Sequence, residues 1–209
     1  RYVFVLVLLV LAIVFYWKWV LASRQRFLDR FALPAGVMER LALKRPELSQ
    51  EQGALVQQGL QQYFRLCVAA NGRFVSMPSQ VVDELWHEFI LFTRLYKQFC
   101  ERALGSYLHH TPAEAMPTPN TATDGIRRAW RLACREEGID PKNPDRLPLL
   151  FALDGQLGIA GGFVYALNCR DAATSSGGAF CASDIGNSGC GGSSDGSSDS
   201  GSGCGGGGD

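Results

Sequence analysis

The sequence predicts an all-α protein: an N-terminal transmembrane helix, a small helical bundle and an irregular Gly/Ser-rich C-terminal tail. Three observations carry this. Residues 1–22 are almost wholly apolar, and several central segments place apolar residues at helical spacing. No alternating apolar–polar run is long enough for a real sheet. The expected division is 1–23 as membrane anchor, 24–165 as helical domain and 166–209 as tail. The 209 residues carry 20 Lys+Arg and 20 Asp+Glu, so net charge is zero and gives no electrostatic reason to expect nucleic acid.

The first element is the run from Tyr2 to Trp17, which Lys18 interrupts and Trp19–Ala22 extends. At about 1.5 Å per residue it spans a hydrocarbon core of about 30 Å. Lys18 can snorkel to the headgroups, and Tyr16, Trp17 and Trp19 suit an interfacial belt. A cleavable signal peptide is the competing reading, with Val20-Leu21-Ala22 as a loose cleavage site, but the apolar run is long for one. Lys18, Arg24, Arg26 and Arg30 follow the run, so the positive-inside rule places the body in the cytoplasm. The expected location is a bacterial inner membrane, crossed once.

Short helices interrupted at Pro34 and Pro46 come next. Ser49 and Gln52 have capping-box spacing, and Leu55, Val56, Leu60, Tyr63, Phe64 and Cys67 form the stripe of a helix that Asn71-Gly72 ends. Ser79 is the expected N-cap of the longest body helix, Gln80 to Leu104, closed by Gly105 at its C′ position. Its Val82, Leu85, Trp86, Phe89, Phe92, Tyr96 and Phe99 cover much of its circumference, which predicts a central position. Asp124 is expected to cap an amphipathic helix stopped by Gly138 and Pro141. The segment Arg146–Ile159 suggests a short final helix, and Gly161–Cys169 reads as a strand or extended tail.

All three histidines, His87, His109 and His110, fall between Asp83 and His110. The surrounding pattern is Pro78, Val82-Asp83, Trp86-His87, Leu91, Tyr96, Cys100, Gly105 and His109 or His110. With the Gly-rich C-terminus, it resembles the glycine-rich domain-containing protein family, most closely its bacterial membrane-anchored form, over about Pro78–Pro112. The resemblance implies no reaction, because that family supplies no activity to carry over.

Asp83 and His87 are four residues apart and share one helix face. A carboxylate so placed can fix an imidazole tautomer or join it in binding a metal. The candidate metal ligands are Asp83, His87, His109 and His110, with zinc or copper as the ions imidazole favours, although nothing in the sequence requires a cofactor. Geometry argues against a single site. In a straight helix Leu104 lies about 25 Å from His87, and the few residues after Gly105 cannot return that far. A break near Thr93, or an antiparallel dimer, would restore it. The plainer expectations are Trp86 in the core, His87 as a buried hydrogen-bonded residue, His109 and His110 as caps of the helix end, and Glu84 and Glu88 on a solvated or interhelical face.

A catalytic His87 oriented by Asp83 is the enzyme reading, but no G-x-S-x-G, Walker A or H-E-x-x-H motif accompanies it. Cys67, Cys100 and Cys134 read as buried free thiols. Cys169, Cys181, Cys190 and Cys204 lack the paired spacing of a structural zinc site. The leading expectation is a non-catalytic, single-pass membrane-anchored accessory or scaffold subunit, with the lipid bilayer and other protein subunits as partners and no nucleic acid. A zinc- or copper-binding protein is the alternative, and a hydrolase-like enzyme the second alternative.

Overall fold

The computed structural model describes residues 2–111, 119–167, 180, 181 and 185. Among them the chain forms helices α1 (Tyr2–Arg30), α2 (Ala35–Lys44), α3 (Gln50–Ala70), α4 (Gln80–Ile90), α5 (Thr93–Ala103), α6 (Pro119–Glu137) and α7 (Leu149–Leu157). The strands β1 (Tyr165–Ala166) and β2 (Phe180–Cys181) pair in parallel and are two residues each. The fold is all-α. Most of the tail expected at 166–209, with Cys169, Cys190 and Cys204, lies outside the described residues.

α1 is long and apolar enough to cross a membrane, and none of its apolar window is buried against the body. It does not stop where the apolar run stops. The same helix continues to Arg30 and delivers Leu28 into the core, with Phe27 and Phe31 packed against it. Phe31 lies 4.6 Å from Phe99 and 5.8 Å from Phe89, centroid to centroid, and Phe64 lies 4.7 Å from Phe99. Such aromatic contacts add about 0.5–1.5 kcal/mol each beyond the area they bury.

The caps read from the sequence are present. Ser49 and Gln52 form a reciprocal capping box, Asn71 closes α3 in the left-handed region, and the Ser79 hydroxyl accepts from the Val82 amide. Gly105 adopts a φ of 81°, and its amide donates to the Cys100 carbonyl. Two boundaries differ. α6 starts at Pro119, so Asp124 lies inside the helix, where it pairs with Arg127 at 3.8 Å instead of capping. The fixed φ of proline suits a first helical position, which an Asp-cap reading overlooks.

The second difference is larger. The helix expected over Gln80–Leu104 is two helices, interrupted at Leu91-Phe92, where Phe92 takes φ −82° and ψ 57°. The reason is packing. Ten residues of straight helix hold Trp86 and Tyr96 about 15 Å apart. The interruption brings the Trp86 indole within 3.1 Å of the Tyr96 hydroxyl and buries both rings, leaving Leu91 exposed. α4 has the neighbours on several sides that were expected, α2, α3, α5 and α7, but the most central helix is α3, which packs against α1, α2, α4, α6 and α7.

α4 is held at its N-terminal end and along one side. Asp154 on α7 is buried and accepts from the Ser79 hydroxyl (2.7 Å), the amides of Gln80 (2.7 Å) and Val81 (3.3 Å), and the Phe163 amide (2.8 Å). It therefore caps α4 from another helix, satisfying orphan donors of the first turn. Along the flank, Arg45 makes a bidentate pair with Glu84 at 2.6 and 2.7 Å, and buried Glu88 meets Arg40 and Lys44. The acidic pair thus forms an interhelical face against α2.

Candidate metal centre

Asp83 and His87 project from successive turns of α4. The imidazole Nδ1 of His87 lies 2.8 Å from the Asp83 carbonyl oxygen and 3.2 Å from Asp83 Oδ2. A carbonyl oxygen only accepts, so Nδ1 carries the hydrogen and the neutral ring keeps its lone pair on Nε2. His87 is not the buried residue expected from its neighbour Trp86: its side chain is 46% exposed.

The third member comes from the chain beyond α5. Gly105 reverses the backbone in a conformation that favours glycine, and the Arg24 guanidinium of α1 fills the space where a Cβ would stand. The returning segment is tied at Leu108, whose carbonyl accepts a 2.6 Å hydrogen bond from the Tyr96 hydroxyl. Two residues on, the His110 ring stands edge-on to Trp86, 4.8 Å between centroids, and 4.2 Å from the His87 ring. His110 Nε2 is 3.1 Å from Asp83 Oδ1. One ligand atom each of Asp83, His87 and His110 lies within 4.8 Å of the other two.

The straight-helix argument that separated these residues therefore fails at the Leu91-Phe92 interruption. His109 does not join them; its ring packs against Tyr107 at 4.8 Å. Neither histidine caps the end of α5, where the Leu104 and Gly105 amides donate to the Cys100 carbonyl.

Two imidazoles and a carboxylate form a donor set that suits zinc or copper. Donors at about 2.0–2.1 Å from a tetrahedral zinc are about 3.3 Å from one another. The contact of Asp83 Oδ1 with His110 Nε2, at 3.1 Å, already approaches that edge length, and a ligand atom of His87 lies within 4.8 Å of both residues. Three protein ligands leave a fourth position open, and the exposed side of His87 gives water access to it. Among the described residues the free thiols Cys67, Cys100 and Cys134 lie outside this group, and burial pushes Cys67 and Cys134 up to about 12 and raises Cys100. Leu108 and Asp154 are the supporting residues that sequence reading missed, and Tyr96 was read only as an apolar and pattern position, not as a hydrogen-bonding one. Asp154 had a signal, a lone acid directly after the apolar Leu149–Leu153 run.

Fold and site together define a helical protein with an exposed N-terminal apolar helix and a surface Asp–His–His cluster. Residues 23–185 match the UCP032817-like family, and the chain belongs to it. No curated protein and no solved structure matches the chain significantly.

Proposed function

We propose that this is a membrane-anchored metal-binding protein that holds a zinc or copper ion at Asp83, His87 and His110. The convergence of those three side chains from two separate segments carries the proposal. The sequence gives up helical continuity at Leu91-Phe92, and the returning segment restores the contact. α1 supplies the anchor, and the cations after its apolar run favour a cytoplasmic body. Elemental analysis of the detergent-purified full-length protein after zinc or copper loading tests this. One ion per chain in the wild type, lost in His87→Ala and His110→Ala but kept in His109→Ala, is the expected result. A wild type that takes up neither ion overturns it.

A second reading, an accessory or scaffold subunit, is supported by the unburied apolar surface of α1, which is also available to other membrane helices. Co-purification of a stoichiometric partner in mild detergent would support it, and a lone stable monomer would count against it. Kinship with the glycine-rich domain-containing family is proposed on the Pro78-to-His110 pattern alone.

A further inference from the structure

We infer that Tyr96 is the positioning residue of this centre, the group that makes His110 a ligand while touching no metal itself. The inference rests on the metal-binding reading and deepens it. Tyr96 is fully buried, and its hydroxyl stands where α4, α5 and the returning segment meet. It receives the Trp86 indole N–H at 3.1 Å and donates to the Leu108 carbonyl at 2.6 Å. An indole N–H only donates and a carbonyl only accepts, so the direction of the relay is fixed.

The ring cannot swing away. Phe89 meets it at 5.3 Å and Tyr107 at 5.4 Å, both nearly perpendicular. The segment it holds has little burial of its own, since Gly105, Ser106, Tyr107 and His109 are exposed. Without a specific tie such a stretch samples many conformations, and each one displaces His110 from Asp83. Trp86, the source of the relay, also lies against the His110 ring. One hydroxyl therefore sets both the wall behind His110 and the backbone two residues before it.

The test uses the full-length protein in detergent micelles and two measurements. Zinc affinity is read by competition with a chromophoric chelator for the wild type, Tyr96→Phe, His109→Ala and His110→Ala. Tyr96→Phe keeps the packed ring and loses only the hydroxyl. The expected result is zinc affinity about 10–100-fold weaker, as for other groups that orient metal ligands, with one ion still bound. His109→Ala stays at the wild-type value.

The second measurement is amide hydrogen exchange without metal. Tyr96→Phe should raise exchange over Tyr107–Thr111 to the rate seen in His110→Ala, with α4 and α5 unchanged. Wild-type zinc affinity in Tyr96→Phe overturns the inference, as does unchanged exchange over Tyr107–Thr111. If neither the wild type nor any variant binds zinc, the metal reading falls and the exchange result alone decides the role of Tyr96.

Discussion

Asp154 shows how much one side chain can hold. Its two oxygens accept from one hydroxyl and three amides, drawn from the start of α4 and from the chain after α7. Asp154→Ala would strand those donors in the interior, so we expect a stability loss of about 3 kcal/mol, measurable by urea unfolding in detergent. The loss should be larger than that of Ser79→Ala, which removes one donor to Asp154 and the acceptor of the Val82 amide. Glycine sets close approaches elsewhere in the core. A Cβ at Gly59 would strike the Leu153 side chain and come within 2.9 Å of Val82 Cγ2. Gly59→Ala is therefore expected to cost about 1–3 kcal/mol through overpacking, although alanine is the better helix former. At this scale the Asp83–His87 half of the site was legible, because a four-residue spacing fixes a shared helix face. His110 was named as a candidate, but its convergence on Asp83 was not settled, because it depends on a backbone change at Phe92, a residue with no turn-forming chemistry of its own.

Between elements, the pairing of α2 with α4 combines buried Val37 and Leu41 with ion pairs, and the ion-paired part should be sensitive to acid. Hydrogen bonding to Arg45 holds the Glu84 carboxyl below its ordinary value of 4.5, and Lys44, with Arg40 beside it, does the same for Glu88 against the opposing effect of burial. Both carboxyls are depressed in the folded state. Their contribution is therefore complete above the unfolded value near 4.5 and is lost as pH falls through the lower folded values. Glu84→Gln and Glu88→Gln should lower the melting temperature at neutral pH, and both variants should converge on the wild type below pH 4.5. A gap that persists in acid would argue against this pairing as the cause. Most helix ends at this level were legible, since Ser49, Asn71, Ser79 and Gly105 act through local backbone chemistry that sequence displays. The interruption between α4 and α5 was not, because it arises from Trp86, Phe89, Tyr96 and Phe99 all requiring burial against neighbours that a local reading does not contain. The early start of α6 was missed for a different reason: two capping signals, Pro119 and Asp124, compete in one stretch.

For the molecule as a whole, the continuity of α1 from apolar run to core leaves no break in the helix between that run and the body. Arg24 lies about 3 Å beyond Ala22 along the axis, so the proposed anchor would hold the turn at Gly105, which Arg24 packs against, close to the lipid surface. The protein should fractionate with membranes and resist alkaline carbonate; release into the soluble fraction would contradict the anchor. The all-α class was legible because helical spacing pervades the body, whereas the order of packing around α3 was not, since several helices carry equally broad apolar faces. The contact between Asp154 and α4 also sets a timetable. Synthesis proceeds from the N-terminus, and Ser79 leaves the ribosome well before Asp154 and Phe163 do. At about 5–20 residues per second, the interval is roughly 4–17 s. Throughout it the helix that carries Asp83 and His87 exists with its first turn unfinished, so a nascent chain stopped short of Asp154 contains every proposed ligand yet lacks the cap that completes the helix presenting two of them.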